Sequence, residues 1–252
     1  MVNAKKVIVC DLDGTLAPSK SKLSPEMAEV ICSLLLKHIL VVVSGGAFSQ
    51  FEKQFLSQLH CGPEVLKNLY LFPTMGTTCF VYDSIGKEWK QLYNESLDAQ
   101  ERENITYALK EAVVQSGLDF NPKDIYGSLI EDRGSQITFS GRGQEAPIQI
   151  KESWDPDKSK RQKIAGYLKD KIPQFDISFG GMTSIDITRK GLDKAYAIGK
   201  IKKILEVTDD DIIFVGDALY AGGNDAPVKK TDVDYIQEDG PDQTIDFLRQ
   251  YL

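Results

Sequence analysis

The sequence contains few cysteines and histidines and no long apolar run. Its 252 residues include four cysteines and two histidines. No stretch reaches the roughly 18 consecutive apolar residues that a membrane-spanning helix needs, so the composition excludes an ordinary helical membrane protein. The N-terminal segment also lacks a small-residue cleavage site behind its short apolar run, and we therefore expect no secretion signal.

The cysteines are scattered along the chain and form no CxxC pair. This spacing predicts neither a zinc site nor a disulfide framework. Unpaired thiols are typical of a reducing compartment, and the predicted location is therefore the cytoplasm. The four positions are Cys10, Cys32, Cys61 and Cys79.

Basic residues are fewer than acidic ones, with 30 lysines and arginines and 37 aspartates and glutamates. The formal net charge of −7 disfavours nucleic acid as a partner, since that binding depends on neutralising many phosphates. A small anion can still bind where the local field is positive. We therefore expect neither nucleic acid nor a membrane as a partner, whereas the net charge does not exclude a small anion as a ligand.

Strand and helix patterns alternate at both ends of the chain. Residues 7–10 and 39–43 are apolar runs that predict buried parallel strands, each followed by a helical pattern. The same rhythm returns after Gly191, with a further apolar strand at residues 212–215. This order predicts an α/β fold with a doubly wound, parallel-sheet Rossmannoid core.

The middle of the chain has a different pattern. Amphipathic helices there are separated by strand patterns that are flanked by polar turns, as in an antiparallel sheet. We interpret this segment as an inserted α+β cap domain of ordinary small-domain size. The predicted domains are a core formed by residues 1–90 and 189–252 and a cap formed by residues 91–188.

Polar side chains follow the predicted parallel strands at their carboxyl ends, where α/β proteins gather their chemistry. Asp11 and Asp13 follow the first strand, and Ser44 follows the second. A group of carboxylates beside a hydroxyl suits a hard cation such as Mg²⁺ together with a phosphate. The alternative is a set of ordinary turns, because aspartate and glycine are common turn residues. The later candidates are Asp217, Asn224 and Asp225.

Four segments of the chain resemble the motifs of the haloacid dehalogenase (HAD) superfamily, in the same order. They are DLDGT from Asp11, VVVSGG around Ser44, KGLDK ending at Lys194, and GDALYAGGND from Gly216. The chain is most similar to the Cof-type (HAD-IIB) branch, near the eukaryotic-type phosphomannomutases and related sugar phosphatases. The resemblance implies a HAD-like core with an inserted cap, Mg²⁺ as cofactor and a small phosphorylated metabolite as substrate.

The resemblance also implies a role for each matched core residue. Asp11 would be the nucleophile that forms an aspartyl-phosphate, and Asp13 would act as general acid and then general base. Ser44 and Gly45 would contact the transferring phosphoryl group, while Lys194 would balance its charge. The implied magnesium ligands are Asp11, the backbone carbonyl of Asp13, Asp217, Asn224 and Asp225.

The cap is expected to select the substrate. In the strand TSIDIT, the period of two places Ser184 and Asp186 on one face, and both match positions that contact the sugar in the mutases. Arg133 and Arg142 match cap arginines that bind the distal phosphate, for which guanidinium is well suited. Either arginine could instead be a surface turn residue. Lys20 stands where the mutases have a further phosphate-binding arginine.

Two departures from the mutase pattern decide the leading hypothesis. Pro147 stands where the mutases have another arginine, and Lys20 keeps the charge of the arginine it replaces but not its fork geometry. The sequence therefore predicts a Mg²⁺-dependent phosphatase of a phosphorylated sugar or similar metabolite. The alternative is a phosphomannomutase that compensates with Lys20 and Lys151, and the second alternative is a non-catalytic sugar-phosphate-binding protein. The resemblance further implies a homodimer that forms through the cap.

Overall fold

A computed structural model describes residues 5–252. The chain divides into two compact units. The core unit comprises Met1–Asn94 and Leu192–Leu252, and the cap unit comprises Glu95–Gly191. No helix within the described range is both long and apolar enough to cross a bilayer.

Eleven strands and eight α-helices are formed within residues 5–252. The strands are β1 Val7–Asp11, β2 Ile39–Val43, β3 Leu69–Phe72, β4 Thr78–Asp83, β5 Glu88–Asn94, β6 Ile130–Asp132, β7 Gln136–Ser140, β8 Phe175–Gly180, β9 Ser184–Arg189, β10 Ile212–Gly216 and β11 Asp234–Gln237. The helices are α1 Pro25–Leu34, α2 Phe48–Gln54, α3 Pro63–Leu66, α4 Ala99–Gln115, α5 Ile148–Trp154, α6 Ser159–Lys171, α7 Lys194–Leu205 and α8 Pro241–Arg249.

The core unit contains a seven-stranded sheet in the order β11-β10-β1-β2-β3-β4-β5. The first five of these strands are parallel, whereas β4 and β5 form an antiparallel hairpin at the edge. The predicted α/β class and Rossmannoid core are confirmed. The antiparallel hairpin is an addition, because its half-exposed strands lack the continuous apolar run that marks a central parallel strand.

Strand β1 is apolar from Val7 to Cys10 because both faces of the sheet are covered. Ile8 and Cys10 belong to one buried apolar cluster, and Val7 and Val9 belong to the other. The adjoining strands are in register, with Cys10 level with Val215 of β10. The polar residues that follow these strands are therefore brought to the same edge of the sheet.

Local capping sets where the helices of the core begin. The Ser24 side chain accepts a hydrogen bond from the Met27 backbone N–H at 3.1 Å, and Pro25 occupies the first position of α1. The Asp193 side chain accepts a hydrogen bond from the Tyr196 backbone N–H at 3.0 Å. Helix α7 consequently starts at Lys194, and this start determines where the lysine lies.

The cap unit has a four-stranded antiparallel sheet in the order β6-β7-β9-β8. Its helix α4 begins after Asp98, which forms a capping box with Glu101. Residues 122–124 form a short 3-10 helix ahead of β6. Ile185 and Ile187 of β9 are fully buried in the apolar core of the cap.

A disulfide joins Cys32 of α1 to Cys61, and the expectation of four unpaired thiols was wrong in this respect. The two Cα atoms are 5.4 Å apart, well within the range that a disulfide spans. The residues are 29 positions apart in the chain, so their proximity is a product of the fold. Cys10 and Cys79 are buried free thiols.

Candidate active site

Asp11 lies at the carboxyl end of the central strand β1 and is only 2% exposed. Its Oδ1 accepts a hydrogen bond from Lys194 Nζ at 2.5 Å. Its Oδ2 is buried and has no hydrogen-bond partner among residues 5–252. A buried carboxylate oxygen is costly to leave unpaired, so this atom is suited to bind a cation or to attack an electrophile.

Lys194 connects Asp11 to a second buried carboxylate. Its ammonium group also forms a short ion pair with Asp225, whose side chain is fully buried. The other Asp225 oxygen, Oδ2, accepts a hydrogen bond from the Ala218 backbone N–H at 2.9 Å. The structure thus brings together a residue at the start of α7, the end of β1 and the loop after β10.

Asp217 completes the acidic cluster. Its Oδ1 accepts a hydrogen bond from the hydroxyl of the fully buried Thr15 at 3.2 Å. A Cβ on Gly14 would lie 2.6 Å from Asp217 Oδ2, and a Cβ on Gly216 would lie 2.4 Å from Asp225 Oδ2. Both glycines are therefore needed so that the carboxylates can approach the backbone of the neighbouring strand end.

Burial governs the protonation of this cluster. Burial raises the pKa of Asp11 to about 7; the Lys194 ammonium opposes this shift, and repulsion from Asp225 and Asp217 adds to it. Burial alone would lower the pKa of Lys194, but Asp11 and Asp225 more than offset it and hold the pKa above its usual value. Burial, followed by repulsion from Asp225, also raises the pKa of Asp217.

The donor set fits a hard divalent cation. Asp11, Asp217 and Asp225 each offer an oxygen, and these oxygens lie within 4.8 Å of one another. When all groups are ionised, three carboxylates and the single ammonium of Lys194 leave two negative charges uncompensated. Mg²⁺ prefers oxygen ligands and often binds through one or two carboxylates plus a substrate phosphate. Asn224 precedes Asp225 on the same loop and is exposed.

Asp13 is half-buried and lies just past β1. Its Oδ1 accepts a hydrogen bond from the Lys20 backbone N–H at 2.6 Å, so the backbone of Lys20 contacts it while the lysine side chain is exposed. Its Oδ2 accepts a hydrogen bond from Gln50 Nε2 at 2.7 Å. Gln54 Nε2 lies 3.4 Å from Oδ1. The side chain is thus held by the loop that follows it and by α2.

Ser44 follows β2 at the same sheet edge as Asp11, because Asp11 is level with Val43 in the parallel register. The serine is buried, and its hydroxyl accepts a hydrogen bond from the Gly46 backbone N–H at 3.1 Å. Gly45 is half-buried, and a Cβ there would lie 3.1 Å from the Met75 side chain. These contacts describe a tight turn between β2 and α2.

The predicted cap arginines are both paired with carboxylates of the cap itself. Arg133 donates to Glu131 Oε2 from both Nε, at 2.8 Å, and Nη2, at 2.7 Å. Arg142 Nη1 lies 3.8 Å from Asp124 Oδ2. Neither acidic partner was singled out from the sequence, although Glu131 stands only two residues before Arg133.

Ser184 and Asp186 lie on one face of β9, opposite the buried Ile185 and Ile187. Asp186 Oδ1 accepts a hydrogen bond from the Thr138 hydroxyl at 2.7 Å, across the β7–β9 pair. The alternation predicted for this strand is present. Sequence reasoning did not find Thr138, since only the strand pairing shows which residue faces Asp186.

Sequence reasoning also missed three core residues that contact the site, namely Thr15, Gln50 and Gln54. Thr15 belongs to the DLDGT segment, so its position was visible but its partner was not. The two glutamines are four residues apart and therefore share one face of α2. That spacing, directly after the Ser44 turn, was the available signal.

A sequence profile of the haloacid dehalogenase-like hydrolases matches residues 8–227, most of the chain. The chain belongs to the haloacid dehalogenase-like hydrolase family. This HAD protein is therefore a phosphoryl-transfer enzyme, and the resemblance inferred from the four motifs is confirmed.

Named relatives of this HAD enzyme are similar to it over most of their length. Phosphomannomutase of Schizosaccharomyces pombe is 28% identical, and the match covers 88% of this chain and 84% of that protein. Phosphomannomutase of Saccharomyces cerevisiae is also 28% identical, with 97% and 93% covered. A crystal structure of a haloacid dehalogenase-like hydrolase from Bacteroides thetaiotaomicron shares the fold, with a TM-score of 0.66 at 17% identity, covering 98% of this chain and 100% of that one.

Proposed function

We propose that this HAD enzyme is a Mg²⁺-dependent phosphomannomutase, which interconverts mannose 1-phosphate and mannose 6-phosphate through a phosphorylated Asp11. The observation that carries the proposal is the unpartnered Oδ2 of Asp11, buried beside Lys194 and two further carboxylates. The sequence favoured a phosphatase over a mutase. The relatives named phosphomannomutase, which align over most of the chain, instead support the mutase over the phosphatase.

Each core residue would have its own role in phosphoryl transfer. Asp11 Oδ2 attacks phosphorus, and the bond from phosphorus to the sugar oxygen breaks. Asp13 gives its proton to that leaving oxygen, and it later takes a proton from the hydroxyl that receives the phosphoryl group from Asp11. Lys194 holds Asp11 in place and balances charge, and Ser44 offers a hydroxyl to the phosphoryl oxygens.

Magnesium would be held by Asp11, Asp217 and Asp225, with the backbone carbonyl of Asp13 and the nearby Asn224 as further oxygen donors. When bound, it would neutralise charge on the phosphoryl oxygens. The protein contributes a preformed carboxylate cluster in which Lys194 already compensates one negative charge. Positioning and charge neutralisation supply most of the catalysis in phosphoryl transfer.

The cap would bind the sugar and its second phosphate. Ser184 and Asp186 present polar groups for hydroxyls, while Arg133 and Arg142 offer guanidinium groups for phosphate. In the structure Arg133 is engaged by Glu131, so a phosphate has to replace that carboxylate. In the core unit, Lys20 is the cation proposed to bind phosphate.

The pairing of Arg133 with Glu131 favours a second candidate function, the sugar phosphatase. A mutase retains a bisphosphorylated intermediate while it turns over, and retention depends on cap cations that are free to bind phosphate. Pro147 supplies none at the position of a mutase arginine. Weaker retention would let water take the phosphoryl group from Asp11.

The decisive experiment uses mannose 1-phosphate, a trace of mannose 1,6-bisphosphate and Mg²⁺. Formation of mannose 6-phosphate is expected for the mutase. Release of inorganic phosphate without mannose 6-phosphate contradicts the mutase and supports the phosphatase. The variant Asp11→Asn is the control and should abolish both products while the protein stays folded. Complete absence of turnover on a panel of phosphate esters would favour the non-catalytic alternative.

Two further expectations stay proposals. A homodimer through the cap can be tested by sedimentation of the purified chain. A cytoplasmic location can be tested by cell fractionation; the Cys32–Cys61 disulfide removes the argument that was based on unpaired thiols, because disulfides persist mainly in oxidising compartments.

A further inference from the structure

Helix α2 supplies both side-chain amides that contact Asp13. Gln50 Nε2 donates to Asp13 Oδ2 at 2.7 Å, whereas Gln54 Nε2 is 3.4 Å from Oδ1. Gln54 Nε2 donates more closely to the Ser21 carbonyl, at 3.1 Å. The strong side-chain hydrogen bond to Asp13 is therefore the one from Gln50, and Gln54 mainly braces the loop that follows β1.

The Gln50 amide occupies space that a side chain at position 46 would fill. A Cβ on Gly46 would lie 2.1 Å from Gln50 Oε1 and 2.6 Å from Gln50 Cδ. The Gly46 carbonyl accepts a hydrogen bond from the Thr74 backbone N–H at 3.0 Å, and the Gly46 N–H donates to Ser44. The Gln50 amide thus packs against the turn formed by Ser44 and Gly46, and it donates a hydrogen bond to Asp13 on its other side.

The helix that carries Gln50 is itself firmly anchored. Phe51 within α2 and Phe55 just after it are both fully buried in the core. Asp13, in contrast, is half-buried on a loop. The Lys20 backbone N–H holds Asp13 Oδ1 at 2.6 Å, and the amide held by the packed helix adds a contact to Oδ2, so the two contacts together define the orientation of the carboxyl group.

We propose that Gln50 is a positioning residue, which orients the Asp13 carboxyl for proton transfer to the leaving oxygen. The proposal rests on the acid role given to Asp13 above. As the phosphorus–oxygen bond breaks, its electron pair stays on the leaving oxygen, and the Asp13 proton moves to that oxygen. Such a transfer requires donor and acceptor within hydrogen-bond reach, and a misplacement of about 1 Å can cost up to ~100-fold in rate.

Leaving-group dependence separates this role from a merely structural one. A nitrophenolate leaves without needing a proton, whereas a sugar alkoxide needs one. Gln50→Met keeps the length of the side chain and removes the donor. We expect kcat/KM, which reports the step that phosphorylates Asp11 and releases the leaving group, to fall about 10- to 100-fold with a hexose phosphate and to change less than about 3-fold with p-nitrophenyl phosphate.

Three further variants make the test specific. Gln58→Met is the matched control, because the Gln58 amide donates to the Ser57 hydroxyl, and it should leave both rates unchanged. Gly46→Ala displaces the Gln50 amide without altering Gln50 and should reproduce the selective loss. In a Gln50→Met background the same change should add little, because both act through one contact.

Asp13→Ala sets the reference for the experiment. It should show the same selectivity for the hexose phosphate with a larger loss. An equal loss on both esters in Asp13→Ala would refute the acid role of Asp13 and the positioning role with it. A selective loss in Asp13→Ala combined with an equal loss, or none, in Gln50→Met would overturn the positioning role alone.

Discussion

Replacement of the buried Lys194 by methionine should destabilise the protein strongly at alkaline pH. The lysine is 1% exposed, and its partners Asp11 and Asp225 are 2% and 0% exposed. Methionine has nearly the volume of lysine, so the change creates little cavity. Its cost comes from two buried carboxylates that lose their cation, and removal of one partner from such a buried group costs about 3–5 kcal/mol. That is a large share of the ~5–15 kcal/mol by which most domains are stable.

The pH dependence of this loss follows from Asp11. Its pKa is about 7 in the folded protein, and Lys194 lowers it from a still higher value. The variant should therefore keep Asp11 protonated to higher pH than the wild type does. Between those two pKa values the folded variant binds a proton that the folded wild type has lost. The stability gap should widen there by about 1.4 kcal/mol per pH unit as pH rises, and narrow towards pH 5.

Urea unfolding in EDTA at pH 5 and pH 8 measures this gap. The matched control is Lys202→Met on the same helix, because Lys202 pairs with Asp209 at the surface and such pairs contribute about 0–1 kcal/mol. Saturating Mg²⁺ should restore part of the stability of Lys194→Met at pH 8. A variant as stable as the wild type at pH 8, or a gap that grows as pH falls, would refute the electrostatic account of the site.

Three further outcomes are expected. Reduction of the Cys32–Cys61 disulfide should lower the free energy of unfolding by about 3–4 kcal/mol, because the bond closes a loop of 29 residues and so limits the conformational entropy of the unfolded chain. Urea unfolding measures this loss, and an unchanged urea midpoint would contradict it. Calorimetry should show Mg²⁺ affinity falling about tenfold per pH unit below pH 7, because the ion displaces the Asp11 proton; a pH-independent affinity would argue against Asp11 as a ligand. Gly216→Ala should lower the free energy of unfolding by about 1–3 kcal/mol, because the added methyl group displaces the Asp225 carboxylate. Gly199→Ala, on α7 with open space around it, should instead stabilise the protein by about 1 kcal/mol. Equal effects of the two changes would contradict a steric role for Gly216.

Much of the core could be predicted because its signals are local. The apolar runs that became β1, β2 and β10 are read directly from the chain, and parallel strands always bring their carboxyl ends to one edge. Asp11, Asp217 and Lys194 were expected to share one site, and the structure places them together with Asp225. The catalytic roles assigned to these residues stay predictions.

Three features of the structure were not predicted from the sequence pattern. The spacing of the cysteines carried no signal for the Cys32–Cys61 bond, because a disulfide requires proximity in space and not a motif. The β4–β5 hairpin was missed since its strands are half-exposed and lack a long apolar run. The pairing of Arg133 with Glu131 could not be assigned either, because Glu131 lies on β6 and Arg133 in the turn after it, and the pattern does not show which way either side chain points.

The amino-acid sequence by itself determined the order of strands and helices and the identity of the acidic groups at the strand ends, because hydrophobic periodicity and turn chemistry act over a few residues. Only the tertiary structure decided that Asp11 keeps one oxygen unpaired while Lys194 neutralises the other, and that Gln50 reaches Asp13 across Gly46. Those features depend on distances of a few ångströms between segments far apart in the chain, which packing of the whole core sets.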